Sequence, residues 1–457
     1  MAMANEDARA AGITRTLAAE IANTLASAIP GQALDAMRRL FVDHVGITYM
    51  GQAFTGKALH AYASDVGGGR PEALLIGSRE RVSAEVAAGI NAQICRNTDF
   101  EETGPAQHIG PLTVHTALAI GQRAHASGRD VLAAATLGYV INGRFHFSRR
   151  GDNTAPQHRM VAAAIASRLL RHDAATTARA ISLAWEFPLR PHFFPLEIKA
   201  PLPKRVAALG MGALFHARAG VQAALMAGYG FESLPDEIDM AQGDYDLAKL
   251  LEPTPPWNIA SEHMELKPWV CSRGAQCAMQ SIAHIVRDHA IDPQKVTAVR
   301  LRLSKMYTRP HQWDPAPARY WEAIYSTQWA AAMVLQRIPA GPKWVTAERL
   351  ADPFSRRLAA MVEITEDPDS TRAYMELRRL ETRGAAEVHV GGQVYRRSYL
   401  NGETYGSPGM PLTDAMVEEK FLESTSLSMD AARARKLLDA VRRIDEVGDI
   451  NDLVAKF

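Results

Sequence analysis

Val296-Thr297-Ala298-Val299-Arg300-Leu301-Arg302-Leu303 is the stretch on which the fold turns. Val299, Leu301 and Leu303 alternate with Arg300 and Arg302, the period of a strand with one face buried. Upstream the apolar period is a different one. Leu17, Ala18, Ile21 and Leu25 lie three and four apart between Thr14 and Leu25. The same spacing runs from Leu34 to Val45, from Val82 to Ile94 and from Val131 to Phe147. Each is one face of an amphipathic helix. Many of the face residues are small, which lets helices approach closely, so the chain up to residue 270 predicts a compact helical bundle.

Downstream, one helical pattern (Cys277 to His289) leads into the alternating stretch. Glu387-Val388-His389-Val390 and Gln393-Val394-Tyr395-Arg396 flank Gly391-Gly392, and two glycines can take the positive φ of a tight hairpin. Met361 to Thr365 and Tyr374 to Leu380 are weaker strand candidates. After the turn-rich run Asn401 to Gly409 the pattern is helical again, as in Ala431 to Val441. The expected fold is therefore mainly α. A large all-helical domain is formed by both chain ends, residues 1–268 and 411–457, with a smaller α+β domain, residues 269–410, inserted between them.

With 457 residues, the chain is long enough for two such units. Its 51 basic and 50 acidic side chains leave a formal charge of +1, which provides no bulk attraction to nucleic acid or an anionic membrane. No run approaches the roughly 18 apolar residues of a membrane span. Met1 to Asp7 lacks the charged-then-apolar order of a signal peptide, so a cytoplasmic protein is expected. Cys95, Cys271 and Cys277 are too few and too scattered for a disulfide framework or an iron–sulfur cluster.

Four local groups carry chemistry-bearing side chains. Arg96-Asn97-Thr98-Asp99-Phe100-Glu101-Glu102-Thr103, then Gly104-Pro105-Ala106-Gln107-His108, concentrates carboxylates, a hydroxyl and an imidazole between two helical patterns. Gln157-His158-Arg159 opens a helix, Lys199 lies in Ile198-Lys199-Ala200-Pro201, and Lys267 in Leu266-Lys267-Pro268-Trp269 is followed by Arg273. Taken singly, each also fits a plainer role: a capping loop, a surface histidine, or a lysine whose stem lies along apolar surface. No phosphate-binding glycine motif and no metal-ligand spacing is found, so neither a cofactor nor a metal is expected.

In order along the chain, these groups resemble the MmgE/PrpD family. Leu40 to Gly46 resembles its D-x-x-G helix, Asn91 to Thr103 its N-G-x-x-x-H-x-x-D-F-D-D-T segment, and Gly128 to Arg144 its glycine-started helix. Ile198-Lys199, Lys267-Pro268-Trp269, Pro411-Leu412-Thr413 and Lys420-Phe421 resemble further elements, so the likeness covers almost the whole chain. It implies a helical domain with an α+β lid, usually a homodimer, acting on small polycarboxylates without a metal. The family's known activities include 2-methylcitrate dehydration, cis-aconitate decarboxylation and iminodisuccinate epimerisation. Carried over by position, the site comprises Asp99, Thr103, His108, His158, Lys199 and Lys267. The chain departs from the pattern at Arg96, where histidine is frequent, at Glu101-Glu102, which replaces an Asp-Asp pair, and at Trp329, which takes the place of a site tyrosine.

The chemistry implied is removal of a proton beside a carboxylate. Lys199 and Lys267, with Arg96 or Arg273, would stabilise the enolate. His158 or Asp99 would take the proton, and His108 would return one to a departing hydroxyl or to carbon. The leading expectation is a cofactor-independent dehydratase of a small hydroxylated di- or tricarboxylate. Epimerase, decarboxylase and a non-catalytic carboxylate binder are the alternatives. Trp329 in the cleft would shrink the pocket and remove one acid; Trp329 in the lid core would do neither.

Overall fold

The computed structural model describes residues 12–103, 108–148, 155–187, 212–234, 236–240, 245–251, 257–308, 313–375 and 383–457. Helices dominate. The first part contains α1 (Ile13–Asn23), α2 (Gly31–Gly51), α3 (Lys57–Val66), α4 (Ala84–Arg96), α5 (Gly110–Ala124), α6 (Gly128–Ser148), α7 (Ala155–Leu169), α8 (Ala174–Glu186) and α9 (Ala213–Gly228). The helical spacings read from the sequence fall within one to three residues of these bounds, except that α2 runs six residues beyond Val45. Leu17, Ala18 and Ile21 are buried on α1, and Met37, Leu40 and Phe41 on α2, as their three-and-four spacing requires. Helices α4, α5, α7 and α9 pack on one another in the centre of the bundle.

The inserted part begins with α10 (Gln276–Asp288) and β1 (Val296–Leu303). Next come α11 (Tyr320–Tyr325), α12 (Thr327–Leu335), β2 (Val362–Glu366), β3 (Arg383–Val390) and β4 (Gln393–Leu400). In β1, Val299, Leu301 and Leu303 are buried while Arg300 and Arg302 are exposed. The sheet order is β2-β1-β3-β4; β1 runs parallel to β2 and antiparallel to β3. β3 and β4 form a hairpin in which Val390 pairs with Gln393, so Gly391 and Gly392 are its two loop residues. Their φ values of 58° and 83° match the turn that two adjacent glycines predict. Tyr374 is not in a strand: Pro368–Met375 is a helix. Proline suits the first helical position, and Asp367 accepts from the Ser370 N–H at 3.0 Å to start the turn. The remainder of that strand candidate lies outside the described residues.

Two apolar cores organise the chain. The first joins residues from Ile13 to Leu266 with Leu412, Val417, Phe421, Leu438 and Phe457, so α13 (Asp414–Thr425) and the C-terminus pack against the bundle. The second runs from Val270 to Val388 and includes Ile47, Met50, Cys95 and Phe100 from the bundle. The two crossings between the cores lie side by side. Leu266 donates its N–H to the Gly406 carbonyl at 2.9 Å. Gly406 has φ +88°, and a Cβ there would lie 1.8 Å from the Leu266 carbonyl oxygen, so only glycine fits. Among the described residues, no helix is long and apolar enough to cross a membrane.

Candidate active site

The loop after α4 leaves the helix through Asn97. Thr98 closes the turn: its hydroxyl donates to the Cys95 carbonyl at 2.8 Å and accepts from the Phe100 N–H at 3.2 Å. Asp99 then has φ +47°, and His108, at the far side of the loop, has φ +64°. Side chains other than glycine are rare there, and such conformations cost about 1–3 kcal/mol each when strongly strained. Both residues are members of one charged cluster.

In that cluster Lys267 donates to Asp99 twice, to its carbonyl at 2.7 Å and to Oδ1 at 3.1 Å. Arg96 Nη1 lies 2.9 Å from Glu101 Oε1 and 3.4 Å from Asp99 Oδ1. His108 Nδ1 lies 2.6 Å from Glu101 Oε1. Burial works against the Glu101 charge, but Arg96, Lys267 and His108 outweigh it and hold the carboxyl well below its usual range. His108 goes the other way. Burial and the nearby Arg96 and Lys267 outweigh Glu101 and push the imidazole down to about 4. At neutral pH Glu101 is therefore ionised and His108 neutral. With Nδ1 2.6 Å from an ionised carboxylate, the single ring proton is assigned to Nδ1, which makes Nε2 the basic nitrogen. His108 also keeps 19% of its side chain accessible, against 4% or less for Arg96, Asp99, Glu101 and Lys267.

The lid contributes a group that sequence reading passed over. The Tyr325 phenol, at the end of α11, lies close enough to Arg96, Asp99 and Glu101 to interact with all three. Burial, with Asp99 and Glu101 close by, holds its proton well above the usual phenol range despite Arg96. Trp329, four residues on, does not share this position. It is fully buried in the second core, and its indole N–H donates to the Trp344 carbonyl at 2.8 Å. The cause is local. Ser326 is extended (φ −78°, ψ 109°), ends α11 and caps α12 by accepting from the Trp329 N–H. The helix rule that places residues four apart on one face therefore fails between Tyr325 and Trp329. Trp329 is corrected from substrate-binding residue to core residue.

Thr103 and Arg273 belong to a second cluster, around Glu265. Thr103 pairs its backbone with that of Glu265 and donates its hydroxyl to Glu265 Oε2 at 3.2 Å. Arg273 clasps the same carboxylate with bonds of 2.7 and 2.6 Å, and Asn401 donates to it at 3.1 Å. These contacts join the loop to both chain crossings.

His158 sits half-buried on α7, with its ring edge-to-face on His216 of α9 at 5.6 Å. The tie from α9 to the loop runs through Gln93, which accepts from the Leu214 N–H at 3.1 Å and donates to Asn97 at 2.8 Å. Its neighbour Arg159 is structural, donating to the carbonyls of Ala184 and Trp185 at the end of α8. Lys199 lies outside the described residues.

Although the sequence shows no ligand spacing, the fold gathers Asp99, Glu101 and His108 with ligand-capable atoms within 4.8 Å of one another. The two carboxylates already face Arg96 and Lys267, so a divalent ion would sit beside two fixed cations. That donor set does not fit a metal well. All three cysteines are free and buried. Burial raises their thiols, that of Cys277 to about 11, and a protonated thiol is a poor nucleophile.

Comparison with known proteins finds two family models in succession along the chain. The model of the MmgE/PrpD N-terminal domain matches residues 15–250, and that of the MmgE/PrpD C-terminal domain matches residues 269–446. The chain is also 21% identical to human cis-aconitate decarboxylase, over 96% of this chain and 93% of that protein.

Proposed function

The chain belongs to the MmgE/PrpD family, and we propose that it is a cofactor-independent lyase that removes a proton beside a carboxylate of a small hydroxylated di- or tricarboxylate and expels water. The observation that carries this reading is the His108–Glu101 pair beside two buried cations, Arg96 and Lys267. A neutral imidazole whose Nδ1 faces an ionised carboxylate is an oriented base. This changes the role expected of His108 from returning a proton to taking one. Its Nε2 accepts the proton, the C–H electron pair becomes the new C=C bond, and the C–O bond to the hydroxyl breaks. Tyr325, protonated at neutral pH, is the candidate to hydrogen-bond the departing oxygen and pass it a proton, although burial makes its phenol a weaker acid than a free one. Charge gathers on the substrate carboxylate in between, and Arg96 and Lys267 supply fixed positive charge at that point. His158 and Lys199 are further candidates, for a second proton transfer and for a second carboxylate.

Decarboxylation is the second reading, favoured by the name of the human relative. It requires a proton to be delivered to carbon, which an imidazole held near 4 does poorly. One experiment separates the readings. Candidate hydroxy- and unsaturated polycarboxylates are incubated with the protein in deuterated water and followed by NMR. Deuterium uptake with loss of water supports the dehydratase, uptake with inversion an epimerase, and carbon dioxide release a decarboxylase. Binding without any exchange removes the catalytic reading.

A further inference from the structure

Two stretches singled out in the sequence, Leu40 to Gly46 and Lys420-Phe421, play no part in the chemistry above. They meet directly behind the loop. Lys420, on α13, is 6% exposed, and Asp43, on α2, is 2% exposed. Lys420 Nζ lies 2.7 Å from Asp43 Oδ1 and donates to the Phe100 carbonyl at 2.9 Å. The same ammonium stands 3.9 Å over the Phe100 ring. Gly46 admits the partner helix: a Cβ there would come within 2.9 Å of the Phe421 ring. Phe100 is the residue between Asp99 and Glu101, so its carbonyl is a fixed point on the segment that carries both carboxylates. The next residue is fastened too, since Glu102 accepts from the Gly110 N–H at 2.8 Å and lies 3.2 Å from His44 Nε2.

We propose that Lys420, anchored by Asp43, is a positioning residue that pins the Phe100 carbonyl and thereby holds Asp99 and Glu101 in register with Arg96, Lys267 and His108. The proposal rests on that cluster being the catalytic site. A long side chain with one buried carboxylate partner and one carbonyl acceptor works as a strut. Its loss lets the loop relax from the left-handed geometry at Asp99 that Lys267 also enforces. Misplacement of a catalytic group by about 1 Å can cost roughly a hundredfold in rate.

The test compares Lys420→Met, which keeps the packing on Phe100 without a donor, with Lys420→Gln, which keeps a donor without the charge. The substrate-free readout is the NMR titration of the His108 imidazole, assigned through His108→Gln. Around His108 the charged groups are Glu101, Arg96 and Lys267, and its midpoint in the wild type is expected near 4. In Lys420→Met it should rise by about a unit or more toward the ordinary value, and in Lys420→Gln it should return most of the way. With an exchanging substrate, Lys420→Met should lower kcat by about thirty- to a hundredfold with KM changed less than about threefold, and Lys420→Gln should recover part of it. An unmoved midpoint in Lys420→Met, or equal movement in the Met and Gln variants, would overturn the proposal, because lost charge alone would account for the latter. If Lys420→Met does not fold, Asp43→Asn with Lys420→Gln keeps the contact as a neutral pair. A near-wild-type midpoint in that pair supports the strut, and a midpoint shifted by about a unit or more overturns it. Should no candidate acid exchange even in the wild type, the functional reading fails while the titration still decides the strut.

Discussion

Glu101 and Glu102 are adjacent, each lies within reach of a histidine, and the two pairs have opposite chemistry. Glu101 faces His108 at 2.6 Å, and that imidazole is pushed down to about 4. Glu102 faces His44 at 3.2 Å, and that imidazole is pushed up to about 9. A carboxylate partner is common to both, so it does not set the outcome. The other neighbours do. His108 is surrounded by Arg96 and Lys267, whereas His44 also faces Asp43 at 3.4 Å. Burial disfavours charge on both rings; two cations reinforce it at His108, and two carboxylates overcome it at His44. One face of the loop thus offers a neutral base, and the other a fixed ion pair.

The sharpest way to break this contrast is His108→Gln, which keeps a polar side chain but cannot titrate. If His108 is the base, substrate deuterium exchange should fall by about a hundredfold to ten-thousandfold, with unfolding almost unchanged. Exchange at the wild-type rate would pass the role to His158 or Asp99. On the other face, His44→Gln leaves Asp43 and Glu102 buried without the imidazolium between them. Breaking a buried pair typically costs about 3–5 kcal/mol, which denaturant unfolding can measure. A loss below about 1 kcal/mol would mean that His44 is neutral and that the two faces are alike.

How much of this was legible in the sequence follows from period. Helices and the β3–β4 hairpin have one, so Leu17 to Ile21, Val299 to Leu303 and Gly391-Gly392 could be placed by eye. The loop from Asn97 to Thr103 has none, and nothing in the string Glu101-Glu102 says which carboxylate faces the site. Order along the chain brought Asp99, His108 and Lys267 into one list, and the structure does bring them together. The same list contained Thr103 and Arg273, which close around Glu265, a residue that had drawn no notice. Tyr325 lies only four residues before Trp329, but the break at Ser326 that separates them is a backbone event with no strong sequence marker. Lys420 and Asp43 are far apart in sequence and meet only through packing.

Titration sharpens the comparison with a smaller effect. Because His108 in the fold is held near 4, its base form persists below the ordinary histidine range, and kcat/KM should fall only as pH drops through about 4. An acid limb near 6.5 would show an unshifted base. Stability carries opposite signs at the two rings. For His108 the unfolded chain takes up the proton first, so its contribution is present above about 6.5 and is lost as pH falls toward about 4. For His44 the folded chain holds the proton more tightly, so its contribution is present below about 6.5 and is lost as pH rises through about 9. In His44→Gln the alkaline loss should diminish and the acid loss remain.

The smallest effect is expected at Trp329, and it tests whether the lid meets the site through its phenol alone. Trp329→Phe removes the indole N–H that donates to the Trp344 carbonyl and leaves a gap in a core that has no water access at that point. One lost hydrogen bond and some lost packing should cost about 1–2 kcal/mol in unfolding free energy. Substrate preference should not change, because the ring is fully buried in the second core. Tyr325→Phe is the matching control. It deletes the hydroxyl beside Arg96 without disturbing that core, so it should lower turnover while leaving stability nearly intact. If Trp329→Phe instead altered which acids are exchanged, and Tyr325→Phe did not affect turnover, the roles assigned to the two rings would have to be reversed.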